Sequence, residues 1–116
     1  MIIEKVLIKL KQENGGVIGS SVIEKGGFMV AMDAPPDLGI EKSSVIAAAV
    51  FNRLVRNVES TKVGAIDYIL IEGNKGDMLV VDVGNVYLFV RTKKNATIAK
   101  IMEDAKDIGK KIEALL

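Results

Sequence analysis

The sequence predicts a mixed α/β domain of the α+β kind: a five-stranded antiparallel sheet with one long helix on one face and two terminal helices on the other. Three observations lead there. Gly84-Asn85 joins two apolar runs, and a two-residue connection of this type marks a tight hairpin. Those runs, Met78 to Val83 and Val86 to Val90, scarcely alternate. An antiparallel strand with one wet face alternates apolar and polar residues, so this sheet is expected to be covered on both sides. Helix-period segments precede, interrupt and follow the strands, which supplies the covers.

The elements follow in order. Residues 2 to 13 read as a helix, with Ile3, Val6, Leu7 and Leu10 at helical spacing and Asn14-Gly15-Gly16 as its stop. Val17 to Ile23 and Phe28 to Met32 read as a strand pair around the turn Glu24 to Gly27, and the small residues Gly19, Ser20 and Ser21 allow a close neighbour. Asp33-Ala34-Pro35-Pro36-Asp37 is the strongest breaker in the chain. A long helix is expected from about Leu38 to Glu59. A third strand spans Ile66 to Ile71, a hairpin loop Glu72 to Asp77, and two further strands flank Gly84-Asn85. The last helix covers residues 95 to 115, with Asn95 or Thr97 as candidate caps and Ile98, Ile101, Ala105, Ile108 and Ile112 on its apolar stripe. Gly109 within it costs about 1 kcal/mol relative to Ala, which predicts a close packing contact there.

Composition narrows the function. The 116 residues suit a single domain, 1–116, and a net charge of +1 gives no footprint for nucleic acid or an anionic membrane. There is no Cys and no His, which removes disulfides, thiolate nucleophiles, the usual zinc sites and imidazole chemistry. The serines Ser20, Ser21, Ser43 and Ser44 have no base to activate them. Asn14 to Gly19 is glycine-rich but lies between helix and strand, the reverse of a phosphate-binding loop, and no carboxylates have calcium-loop spacing. The sequence therefore predicts no enzyme, no metal and no cofactor. No apolar run reaches the roughly 18 residues that span a bilayer, and the N-terminus lacks a signal-peptide pattern, so no membrane insertion and a cytoplasmic location are expected.

What remains is an interaction surface. In the long helix, Ile46, Val50, Phe51, Leu54, Val55 and Val58 sweep an arc of roughly 180°, wider than the stripe of about 100° that one buried face needs. Two contacts for this helix are implied. Five strands at about 4.8 Å spacing make a sheet roughly 19 Å across, while a helix is about 10 Å thick. One helix cannot cover that face, and a second copy related by a two-fold axis would. The third strand follows a crossover and is expected at the sheet edge, where it would pair with its own copy. The predicted dimer or partner interface is Ile46, Ala47, Val50, Phe51, Leu54 and Val58 with Ile66, Tyr68 and Leu70; Arg53 and Arg56 stand at its polar border as rim contacts.

Several stretches together resemble the Roadblock/dynein-light-chain family over nearly the whole chain. Gly16-Val17-Ile18-Gly19-Ser20-Ser21-Val22-Ile23 is similar to the family's first strand, and Gly27-Phe28-Met29-Val30-Ala31 to the strand after it. The Ala-rich helix from Ile46 to Leu54, the meander ending in Gly84-Asn85-Val86-Tyr87-Leu88 and the Ile-rich last helix also fit. Lys93 to Ile98 departs from the short glycine-containing start of the family's last helix. The resemblance implies a profilin-like sandwich and a homodimer with a continuous sheet. It also implies a scaffold that regulates or tethers a Ras-like small GTPase, or takes part in subunit assembly. The competing expectations are a small-ligand sensor domain of the profilin or PAS-like type and a structural subunit of a larger complex.

Overall fold

The computed structural model describes residues 2–116. The chain runs α1 (Ile2–Glu13), β1 (Val17–Glu24), β2 (Met29–Asp33), α2 (Ile40–Val58), a short 3-10 turn (Glu59–Thr61), β3 (Tyr68–Gly73), β4 (Gly76–Val83), β5 (Val86–Thr92) and α3 (Ile98–Leu115). All neighbouring strands are antiparallel, in the order β2-β1-β5-β4-β3. The central strand β5 is buried at nearly every position, which accounts for its unbroken apolar run.

The two faces carry separate cores. On one, α1 and α3 bury Ile3, Leu7, Leu10, Ile101, Ala105 and Ile112 against Val22, Leu79, Val81, Leu88 and Val90. On the other, α2 buries Ile40, Ala47, Ala48 and Phe51 against Ile23, Val80, Tyr87 and Phe89. Alternation along β5 sends Leu88 and Val90 to the first core and Tyr87 and Phe89 to the second. This is the expected α+β sandwich, with the long helix alone on its side.

Small residues set the close approaches. A Cβ at Gly109 would stand 3.2 Å from Val83 Cγ2, so α3 reaches β4 because Gly109 has no side chain. Ser44 donates to the Ile40 carbonyl at 2.6 Å, and its oxygen lies 2.6 Å from Ser21 Oγ, which ties α2 to β1 in the middle of the buried face. Gly84, at φ 77°, makes the β4–β5 turn, and its N–H donates to Asp82 Oδ1 at 3.0 Å.

Three local expectations are corrected. The third strand begins at Tyr68, not Ile66: Ile66 and Ile69, three residues apart, both pack on the α2 side, which regular alternation from Ile66 would not allow. The β3–β4 hairpin is tighter than a loop from Glu72 to Asp77, since Gly73 pairs with Gly76 and only Asn74 and Lys75 connect them. Thr97 occupies the N-cap of α3 but its side chain makes no capping hydrogen bond.

Candidate interaction surface

The arc on α2 divides into three faces. Toward the sheet point Ser44, Ala47, Ala48 and Phe51, all buried. Ala47 and Phe51 were expected at an interface with another chain; they belong instead to the core beneath the helix, at 1% and 0% exposure. The space between α2 and the sheet is filled by Phe51, Tyr87 and Phe89. Phe51 stacks on Tyr87 with ring centroids 4.6 Å apart, and this filling leaves the helix–sheet seam no room for an internal ligand at that point.

A second face is the ridge Ile46, Val50, Leu54 and Val58, spaced by four residues and so aligned along the helix. Ile46 is 52% exposed and Val50 45%, while Leu54 and Val58 are half-buried. Beyond α2, the same side of the sheet continues to the edge strand β3. There Ile69 and Met78 are half-buried and Ile71 is 38% exposed, with Ile71 paired across the ladder to Met78. Ile66 packs against this side from the segment before β3. Tyr68 and Leu70 face the other way: Leu70 packs on the α1/α3 core, and Lys106 Nζ of α3 lies 5.1 Å from the Tyr68 ring centre. The expected set Ile66, Tyr68 and Leu70 thus splits between two faces, because the alternation counted from Ile66 is broken before the strand starts.

The two edges of the sheet differ. β3 pairs with β4 residue for residue from Tyr68–Val81 to Gly73–Gly76 without a shift, and Asp67 adds one more bond by accepting from the Asp82 N–H at 2.9 Å. β2 is shorter and irregular: Val22 pairs with Ala31 but Ile23 with Met29, leaving Val30 as an extra residue, and Pro35-Pro36 follows at once. A bulge and prolines blunt an edge against further pairing. The outer rim of β3 has neither.

The end of α2 is fixed to the hairpin end of the sheet by a polar cluster. Asn52 donates to the Lys25 carbonyl at 2.7 Å and accepts from the Tyr87 hydroxyl. Lys25 Nζ lies 3.0 Å from Asp82 Oδ1 and 5.2 Å from the Tyr87 ring centre. Burial, and secondarily the Asp82 carboxylate, push the Tyr87 hydroxyl above its ordinary pKa. Its neighbours are satisfied among themselves, and the cluster holds position rather than offering chemistry.

No family model matches the chain. Three uncharacterized proteins of Methanocaldococcus jannaschii, MJ1340, MJ0310 and MJ0714, are each 30% identical over 114 residues; the alignments cover 98% of this chain and 99%, 99% and 96% of the relatives. The chain belongs to one family with these proteins. Among solved structures, a Roadblock/LC7 domain from Streptomyces avermitilis superposes with a TM-score of 0.89 at 11% identity, covering 97% of this chain and 95% of that one. MglB in a tetrameric arrangement gives 0.87 at 15% identity, with 97% and 86% covered. The profilin of a LokiProfilin2/rabbit actin complex gives 0.70 at 15%, with 99% and 98% covered. The fold is that of the Roadblock/LC7 domain.

On this Roadblock/LC7 scaffold, Arg53 and Arg56 are exposed on α2 and form no ion pair among the described residues. Residues not anticipated from the sequence are Ile69, Ile71 and Met78 on the ridge side, and Met32 and Val45 on the opposite flank of the helix. The first three carried a signal: they share the period of Val80, once the strand start is placed at Tyr68. No helix of the described residues is long and apolar enough to cross a membrane.

Proposed function

We propose that the chain is a homodimeric protein-binding module that tethers or regulates a Ras-like small GTPase. One observation carries the reading: an exposed apolar ridge, Ile46 and Val50 with Leu54 and Val58, beside a greasy sheet margin, Ile69, Ile71 and Met78, that ends in a regular strand with an open outer edge. Two copies related by a two-fold axis bury both at once. The ridges pack on each other, and β3 pairs with its own copy to make one sheet across the dimer. The tetrameric arrangement of MglB, a protein with the same fold, supports self-association. The GTPase part rests on the Roadblock/LC7 resemblance and on a sequence that contains no Cys and no His.

The test has two steps. Light scattering at micromolar concentration is expected to give twice the chain mass; a stable monomer overturns the dimer. Titration against the Ras-like GTPases encoded in the same genome, each loaded with GDP or a non-hydrolysable GTP analogue, is expected to find one that binds in a nucleotide-dependent way. Failure of every one of them overturns the GTPase reading.

A further inference from the structure

The third face of α2 is left over when the sheet side and the dimer ridge are assigned. At about 100° per residue, Lys42, Val45, Ala49, Arg53 and Arg56 fall within one arc of roughly 80°, turned away from both. All five are exposed. The stripe is apolar in its first half and basic at its ends: Val45 is 43% exposed, and Lys42, Arg53 and Arg56 form no ion pair among the described residues. The chain as a whole is almost balanced, at sixteen basic to fifteen acidic residues, yet this stripe holds three cations and no anion. Beside its first half lies an open groove of about 570 Å³ between α2 and the segment after β2, lined by Met32, Pro35, Pro36, Val45 and Ile46. Met32 is 41% exposed there. Glu41 stands at its wall, in the first turn of α2, where a carboxylate suits the helix dipole.

We propose that this stripe and groove form a second docking surface, which adjoins the dimer ridge at Ile46 and extends away from it, and that it receives an acidic protein segment with an apolar centre. The apolar side chain enters the groove over Met32 and Val45. Carboxylates on either side of it meet Lys42 at one end and Arg53 and Arg56 at the other. Arginine suits this task, because its planar fork binds a carboxylate with two parallel hydrogen bonds. Three cations with no internal partner give long-range attraction and orientation to an acidic partner, an effect that weakens with salt. The proposal deepens the reading of the chain as a protein-binding module: it assigns the dimer to the flank from Val50 to Val58 and the partner to the flank from Lys42 to Arg56, with Ile46 on the border between them.

The probe is a short synthetic amphipathic peptide, Leu on one side and Glu on the other, with a Gln-for-Glu copy as control. Backbone amide resonances of the full chain are followed during titration. The expected result is that the Glu peptide shifts Met32, Val45, Ala49 and Arg53, that the Gln copy binds about tenfold more weakly, and that Arg53→Glu with Arg56→Glu weakens the Glu peptide about tenfold, or roughly 1.4 kcal/mol. Light scattering of that double variant is expected to be unchanged. Shifts centred elsewhere, equal affinity for the two peptides, or no binding at about 1 mM overturn the proposal. So does binding to phosphatidylserine vesicles through the same residues without peptide binding, which would make the surface a membrane contact. A dimer that ignores the peptide sinks this inference alone, whereas a monomer that binds it sinks the dimer reading alone.

Discussion

The Phe51 ring stacks on Tyr87 at 4.6 Å between centroids and 30° between planes, and both rings are closed off from solvent. This pair fastens α2 to the central strand. Truncation of Phe51 to Ala removes a fully buried aromatic and leaves a cavity, so a loss of about 3–5 kcal/mol is expected. Chemical denaturation of Phe51→Ala checks this; a loss below about 1 kcal/mol would mean that the pair does not anchor the helix.

Tyr87 also sets a limit at alkaline pH. Its folded pKa lies above the ordinary value of about 10. The resulting stabilisation is intact below that ordinary value and is lost as pH rises through the folded one. The Tyr87→Phe variant, which cannot ionise, is expected to lack that part of the decline. Denaturation midpoints between neutral and strongly alkaline pH, wild type against variant, decide it.

At acid pH the sign reverses for Asp104. Hydrogen bonds from Lys100, then from Asn14, hold its carboxyl below the usual carboxylate range. Lys100 reaches Asp104 at 2.8 Å and also the Glu13 carbonyl and Asn14, so the three side chains join the end of α1 to α3. Their contribution is present above the ordinary carboxylate pKa of about 3.9 and is lost as pH falls through the lower, folded value. Replacing Asp104 by Asn should flatten the acid limb of the stability curve. An unchanged limb would assign it to other carboxylates.

Charge placed on the ridge should separate folding from assembly. Ile46→Asp and Val50→Asp put a carboxylate at positions that are about half exposed in one chain and dry in the proposed dimer. Circular dichroism is expected to stay native while light scattering drops to the mass of one chain. A variant that remains dimeric shows that the wrong face of α2 was chosen.

Gly109→Ala gains about 1 kcal/mol in helix propensity, but its new methyl group meets Val83 Cγ2 at 3.2 Å. Val83 is buried and stiff at its branched carbon, and overpacking costs about 1–3 kcal/mol. A net loss of about 1 kcal/mol is expected, largely relieved when Val83→Ala is added. Additive losses in the double variant would rule out the contact as the cause.

The layered sheet, its edge strand and its helices were legible because their signals are local or additive. The Gly84-Asn85 turn fixes one hairpin, and the unbroken run in β5 reports two covered faces. The interface was legible only in outline. Ala47 and Phe51 lie on the same wide apolar arc as Ile46 and Val50, and periodicity alone does not say which edge of an arc faces the sheet; that depends on where the helix axis sits. Tyr68 and Leu70 were assigned to the face of Ile66 because a strand read from Ile66 alternates through them; Ile66 and Ile69 share a face instead, so the alternation slips at Asp67, and that slip has no apolar signature.

The unequal rims of the sheet have a consequence for how large an assembly can grow. Val30 and the two prolines spoil one border, while the other is clean from Tyr68 to Gly73. In the proposed dimer the clean border is consumed by one twin, which leaves strand-by-strand growth into filaments no second border to start from.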